Sequence, residues 1–200
     1  MASAPTLTRD DLMSLETYHR ERPAFRERVL RHKTMRQVCL GAHATLYYED
    51  RLTIQYQVQE MLRVERIFEA EAVQAELEAY VPLIPDGDNW KATFMIEYTD
   101  PQERKAALER LVGIEHALWM QVGGHARVTG IADEDMERTK EAKTSAVHFL
   151  RFQLTPAMVA AARAGAPISI GVAHPLYTYS VDPVSEAVRA SLAADLVDPA

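Results

Sequence analysis

The chain has 200 residues, of which 48% are hydrophobic and 26% are charged, and its formal net charge at pH 7 is −7. These values are typical of a globular protein, and the negative charge excludes a general nucleic-acid binder, which needs a basic surface. The single cysteine, Cys39, excludes an intramolecular disulfide and a cysteine-based zinc or iron–sulfur site within one chain. No apolar run approaches the roughly 20 residues that span a bilayer, so we expect a soluble, cytoplasmic protein without membrane contacts.

Residues 8–34 predict an N-terminal helical arm, opened by a capping-box-like pattern after Thr8 and continued by a helix around Pro23. Between Arg20 and Arg36 there are seven Lys or Arg residues against two Glu. Three interpretations of this basic stretch stay open: a solvated helix face, a docking surface for an acidic partner or for the chain's own acidic helix, and nucleic-acid binding. No aromatic residues alternate with the basic ones as a nucleic-acid surface would require.

Residues 50–80 predict one long central helix, with Asp50 as its N-cap and a Pro-Asp-Gly turn behind it. At about 100° per residue, one stripe of the helix carries Ile54, Val58, Met61, Phe68 and Ala72. Glu65 falls in the middle of that stripe, and a carboxylate buried there must be paired, protonated or bound to a cation. Glu65 therefore has three interpretations: an ion pair with Arg28, Arg36 or Arg151, a metal-binding or catalytic role, or a helix rotated so that Glu65 reaches solvent.

Residues 90–154 show the order β-α-β-β-α-β, which is the order of a ferredoxin-like core. The second helix of that core is a charged segment predicted at 133–143. The sequence thus predicts an α+β fold, with a mostly antiparallel sheet packed against the long helix and shorter helices. We expect a single domain over residues 1–178, followed by a tail, 179–200, that is either a docking helix or frayed.

Two histidines lie on the apolar faces of predicted strands, His148 in the strand 145–154 and His174 in the strand 168–174. Together with Glu65 they would form a two-histidine, one-carboxylate site for a transition metal such as iron or zinc, if the three side chains converge. Glu65 and His148 are also the candidates for acid–base catalysis. The alternative for each histidine is a neutral core residue that is hydrogen-bonded to the backbone.

Five stretches of the sequence carry a resemblance: LTRDDLMSLETY, LYYEDRLTIQYQVQEMLRVERIFE, PLIPDGDNWKATFMIEY, IADEDMERTKEAKTSAVHFLRF and GVAHPLY. They are similar to a bacterial family of unknown function, over roughly residues 7–178. Genes of that family often lie near those for rubrerythrin and for an iron–sulfur oxidoreductase resembling a heterodisulfide-reductase subunit. The resemblance implies an accessory role beside redox or oxidative-stress proteins, and it implies no catalytic residues.

Three functional hypotheses follow. The first is an accessory protein that binds a redox partner protein through the basic stretch 20–36 or the long helix. The second is a mononuclear metal protein that uses Glu65, His148 and His174. The third is a small acid–base enzyme with a buried Glu65. A homodimer is compatible with all three.

Overall fold

A computed structural model describes residues 6–134 and 142–197. The helices in this part of the chain are α1 Leu15–Lys33, α2 Arg51–Glu65, α3 Ala70–Tyr80, α4 Pro101–Arg110, α5 Pro156–Arg163 and α6 Glu186–Ala193. The strands are β1 Gln37–Cys39, β2 Ala44–Tyr48, β3 Asn89–Ile96, β4 Leu118–Val122, β5 Val128–Thr129, β6 Ile131–Ala132, β7 Val147–Gln153, β8 Ile168–His174 and β9 Tyr177–Val181. None of the described helices is long and apolar enough to cross a membrane.

The strands form two antiparallel sheets, which confirms the predicted α+β class. The first sheet has the order β1-β2-β3-β7-β6 and the second has the order β5-β4-β8-β9. Alternate residues of β3 and β7 are buried, as the pleat of a strand with one covered face requires. The buried residues of both sheets belong to one hydrophobic cluster, which α5 and α6 join. The two sheets therefore pack against each other through their inner faces.

The helices α1, α2 and α3 form a separate layer with its own small clusters. Ile54, Val58 and Leu62 of α2 pack with Val73 and Leu77 of α3. A second cluster is centred on Tyr18, Phe25 and Val29 of α1. This layer lies against the outer face of the first sheet, where a cavity separates the start of α2 from β3 and β7.

The predicted helix 50–80 is two helices, not one. Asp50 caps α2 as predicted, in a capping box with Thr53, but Arg66 adopts a left-handed conformation with φ 56° and ends the helix. The amide of Ile67 donates to the carbonyl of Leu62 at 2.9 Å, and Ile67 packs on the cluster that contains Leu62. This is the hydrophobic contact of a Schellman motif. Arg is unusual in the left-handed conformation. The residue type at position 66 therefore did not indicate that the helix ends there.

The ferredoxin-like core predicted for 90–154 is also wrong. β3 and β7, the first and last strands of the predicted pattern, pair directly in the first sheet. Of the three strands between them, β4 and β5 pair with each other in the second sheet, and β6 pairs with β7 in the first. The helix predicted at 133–143 falls largely on residues 135–141, outside the described residues. Strand order in sequence did not reveal that the chain changes sheet after α4.

Residues 179–197 are part of the same packed body as the strands before them. The predicted tail begins inside β9, and Val188 and Leu192 of α6 lie in the main core. The guanidinium of Arg36, which is 2% exposed, joins this C-terminal helix to the rest. It donates to the carbonyl oxygens of Tyr48 and Glu49 at 3.1 and 2.9 Å and to Asp195 Oδ2 at 2.6 Å.

Glu60 joins α2 to α1, and we expect its charge to contribute to stability above acidic pH. Its carboxylate accepts from Arg22 at 2.7 and 2.8 Å and from the Tyr18 hydroxyl at 2.7 Å. The Arg22 hydrogen bonds lower the pKa of Glu60 from 4.5 to about 2. Because the folded-state pKa is lowered, the contribution is fully present above pH 4.5 and is lost as the pH falls through 2.

Glu60→Gln should therefore lower the free energy of unfolding at pH 7 by about 2 kcal/mol, a value discounted for partial solvent screening. The difference from wild type should shrink as the pH falls below 4.5. Urea denaturation followed by circular dichroism measures both effects. The matched control is Glu186→Gln, which removes a carboxylate paired with Arg189 but 75% exposed, and which should change little. Equal losses in the two variants, or a gap that widens in acid, would contradict the assignment.

Candidate functional site

Glu65 lies at the last residue of α2, and its side chain is exposed. The apolar stripe predicted a buried carboxylate, and that prediction is wrong because the helix ends here. Of the three interpretations of Glu65, the structure matches the one in which it reaches solvent. Its neighbours Arg63 and Arg66 are exposed as well.

His148 is completely buried at the inner face of β7, as the alternation of that strand predicted. Its Nδ1 lies 2.6 Å from Asp133 Oδ2, and its Nε2 lies 2.8 Å from the Thr144 hydroxyl. Thr144 in turn donates to Glu115 Oε2 at 3.2 Å. A buried polar network thus joins the turn before β4, the end of β6 and strand β7. We call these four side chains the His148 network.

Both ring nitrogens of His148 lie close to oxygen atoms of the protein. The Nε2 atom lies 3.1 Å from the carbonyl oxygen of Ser145, which can only accept. The Nδ1 atom faces the Asp133 carboxylate, whose other oxygen already accepts from the amide of Phe149 at 3.0 Å. Each ring nitrogen of this fully buried side chain therefore has an oxygen partner within the protein.

The backbone at Asp133 is held in an unusual conformation, with φ 50°. Its carboxylate is 8% exposed, so its position is determined by the bonds to His148 and Phe149 rather than by solvent. The sequence pattern placed Asp133 at the start of the predicted helix 133–143 and did not single out Glu115. Glu115 lies in a short 3-10 helix before β4, and Asp133 follows the two-residue strand β6. Neither element is long enough for a periodicity that distinguishes a buried carboxylate from an exposed one.

His174 is also buried, with 8% of its surface exposed, at the end of β8 in the second sheet. Its Nε2 lies 3.2 Å from the carbonyl of Val112, and its Nδ1 accepts from the amide of Leu176 at 3.2 Å. One ring nitrogen therefore donates and the other accepts, as in a neutral imidazole. This matches the core-residue alternative.

Glu65, His148 and His174 do not come together. They lie in the helical layer, the first sheet and the second sheet respectively. Within residues 6–134 and 142–197, no group of three or more His, Cys, Asp or Glu side chains is arranged to hold a metal ion. The structure instead gives His148 partners from three other segments of the chain.

An apolar corner lies on the surface where α2 meets α3. Phe68 and Val64 are 68% and 61% exposed, the largest fractions among the exposed large hydrophobic side chains of the described chain. Beside Phe68 lies a cavity of about 340 Å³. It is lined mainly by apolar side chains of the N-terminal segment and the two helices, among them Leu12, Met13, Leu15, Leu62, Ile67 and Val73. We call this surface the α2–α3 corner.

The fold and these sites define an α+β protein of two packed antiparallel sheets with a helical layer on one outer face. The chain belongs to the family described as Protein of unknown function (DUF3501), whose model matches residues 6–196. It is similar, at 52% identity, to a crystal structure of a novel protein of unknown function from Burkholderia pseudomallei K96243. The match covers 96% of this chain and 100% of that chain, with a TM-score of 0.92. No curated protein matches the chain.

The two buried histidines should differ in their contribution to stability. His148→Leu removes a partner of the buried Asp133 carboxylate and should lower the free energy of unfolding by about 3 kcal/mol. His174→Leu removes two neutral hydrogen bonds to backbone groups and should cost about 1–2 kcal/mol. Urea denaturation of both variants at pH 7 measures the difference. A loss in His174→Leu as large as that in His148→Leu would contradict the larger contribution of the contact with the Asp133 carboxylate.

Proposed function

We propose that the protein is an accessory protein that binds redox or oxidative-stress proteins, rubrerythrin or the iron–sulfur oxidoreductase among them, through the α2–α3 corner. The observation that carries this proposal is the exposure of Phe68 beside an apolar cavity, with Val64 also exposed on the last turn of α2. Large exposed apolar side chains mark interaction surfaces in proteins that otherwise keep such groups inside.

The α2–α3 corner has the anatomy of a protein-binding site. Phe68 supplies an aromatic group, which is enriched among the residues that dominate binding energy. Exposed charged residues surround it, including Arg63, Glu65, Arg66 and Glu69, as the polar rim of an interface does. Glu65 therefore takes the place of a rim residue in this proposal.

The basic stretch 20–36 is a weaker candidate for the same contact, because Arg22, Arg28 and Arg36, three of its seven cations, contact other side chains of the protein itself. Arg22 binds Glu60 on α2, and Arg36 is buried against Asp195. Arg28 lies over the ring of Phe25, 4.9 Å from its centroid. These contacts support docking on the chain's own helices rather than on a partner.

The class of partner rests on the family resemblance, in which the genes of rubrerythrin and an iron–sulfur oxidoreductase lie nearby. Neither the metal-protein nor the acid–base alternative has comparable support. Both required Glu65 inside the protein, and its side chain is exposed.

The proposal is tested by direct binding of the purified protein to purified rubrerythrin and to the iron–sulfur oxidoreductase of the same organism. Biolayer interferometry should give saturable binding to one of them. The double variant Val64→Ser/Phe68→Ser should weaken it at least about tenfold, since a truncated central aromatic group commonly costs 2 kcal/mol or more.

The matched control is Leu176→Ser, which removes a side chain that is 56% exposed between β8 and β9. It should leave the affinity unchanged. Absence of binding to both partners, or equal weakening by the control, would overturn the proposal. Light scattering after size exclusion provides a further check. A homodimer that dissociates in the Val64→Ser/Phe68→Ser variant would show that a second copy occupies the corner, which also overturns it.

A further inference from the structure

A cavity of about 360 Å³ lies between the helical layer and the outer face of the first sheet, away from the α2–α3 corner. Its volume is within the range of small-molecule sites. Much of its wall is apolar, formed by Ile54 of α2, Leu83 and the strand residues Met95, Val147 and Phe149. These strand residues point away from the shared core, which explains why they are only partly buried.

One carboxylate stands in this apolar wall. Glu49 lies between β2 and α2 and lines the cavity. Its Oε2 accepts from the Thr53 hydroxyl at 2.6 Å and its Oε1 accepts from the Thr93 hydroxyl at 2.7 Å. Each oxygen is thus held by one neutral donor, and each keeps room for another, because a carboxylate can accept about four hydrogen bonds.

The main chain also holds Glu49 in place. Its amide donates to the carbonyl of Lys91 on β3 at 2.9 Å, and its own carbonyl accepts from Arg36 at 2.9 Å. Two hydrogen bonds hold the carboxylate of Glu49 and two hold its main chain. A residue positioned in this way before a ligand arrives loses little conformational entropy on binding. The site is therefore preorganised.

The charge of Glu49 is not neutralised by an ion pair within the described residues. Its side-chain bonds come from two hydroxyl groups. Lys33 also lines the cavity, but its ammonium lies over the Tyr56 ring, 5.9 Å from the centroid. A partly buried carboxylate in apolar surroundings favours a cation as its ligand.

We propose that this cavity binds a small primary amine with an apolar body, whose ammonium group pairs with Glu49. The ammonium donates to the free acceptor positions of the two carboxylate oxygens. The apolar body packs against Met95, Val147 and Phe149, where its burial contributes about 25 cal/mol per Å². The Gln57 amide and the Tyr80 side chain, which also line the cavity, remain available to a polar substituent on the ligand.

Isothermal titration calorimetry with phenethylamine, tyramine and isoamylamine tests the proposal, at pH 7.5 and low salt. At least one of these amines should bind with a Kd of about 1 mM or lower. The neutral analogue 2-phenylethanol and the acid 3-phenylpropionate should bind at least about tenfold more weakly than phenethylamine. Glu49→Gln keeps the shape and an acceptor oxygen but removes the charge, and should weaken amine binding at least about tenfold.

The matched control is Glu97→Gln. Glu97 lies on the same sheet and also accepts from two hydroxyls, those of Thr45 at 2.7 Å and Tyr47 at 3.1 Å, but it is exposed. This variant should bind amines as wild type does. Circular dichroism melting of each variant separates a loss of binding from a loss of folding.

Methyl NMR locates the ligand independently of affinity. The methyl resonances of Met95 and Val147 should shift during the amine titration, and that of Met158, buried in the main core, should not. Four results would overturn the proposal: no saturable amine binding, 3-phenylpropionate binding as tightly as the amine, unchanged affinity in Glu49→Gln, or shifts away from the cavity. The Val64→Ser/Phe68→Ser variant should still bind amines, so this site and the α2–α3 corner can fail separately.

Discussion

The buried guanidinium of Arg36 is the interaction on which the arrangement of the chain depends most. It binds the carbonyls of Tyr48 and Glu49 at the end of β2 and the carboxylate of Asp195 behind α6. A guanidinium at 2% exposure is stable only when its donors are satisfied. The N-terminal helix, the first sheet and the C-terminal helix therefore have to meet at one point. Burial raises the pKa of Asp195 to about 6 even though the guanidinium of Arg36 lies beside it, as expected for a carboxylate that is largely removed from solvent.

This junction also determines what the outer face of the first sheet can do. Because Arg36 holds the backbone of Glu49, the carboxylate of that residue is directed to Thr53 and Thr93 at the wall of the cavity. On the inner face of the same sheet, His148 is held by Asp133, by the Thr144 hydroxyl and by the carbonyl of Ser145. The inner polar groups are enclosed by the chain's own partners, whereas Glu49 borders a space that a ligand can enter. The proposed amine site therefore lies on the outer face of this sheet.

The comparison between pattern and structure is most informative at Glu65, His148 and Phe68. Alternation in β7 predicted an inward His148, and that side chain is fully buried, because a two-residue period is imposed by the pleat itself. The helical period placed Glu65 and Phe68 on an inward stripe, and both are exposed. That inference assumed a continuous helix, whereas the left-handed conformation of Arg66 interrupts the period. Ile67 packs on a cluster that contains residues of other segments as well as Leu62, so this contact is tertiary. The residue type at position 66 does not indicate it.

The sequence by itself determined the α+β class, the helix start at Asp50, most strand positions and which histidines face inward. Each of these follows from local chemistry, namely caps, turns and the period of apolar residues. Only the tertiary structure decided that the strands divide between two sheets, that His148 meets Glu115 and Asp133, and that Glu49 borders a cavity. These features join residues far apart in the chain, and their partners lie partly in irregular segments that have no period. Long-range pairing is selected by packing and by the need to satisfy buried polar groups, which a single sequence does not display locally.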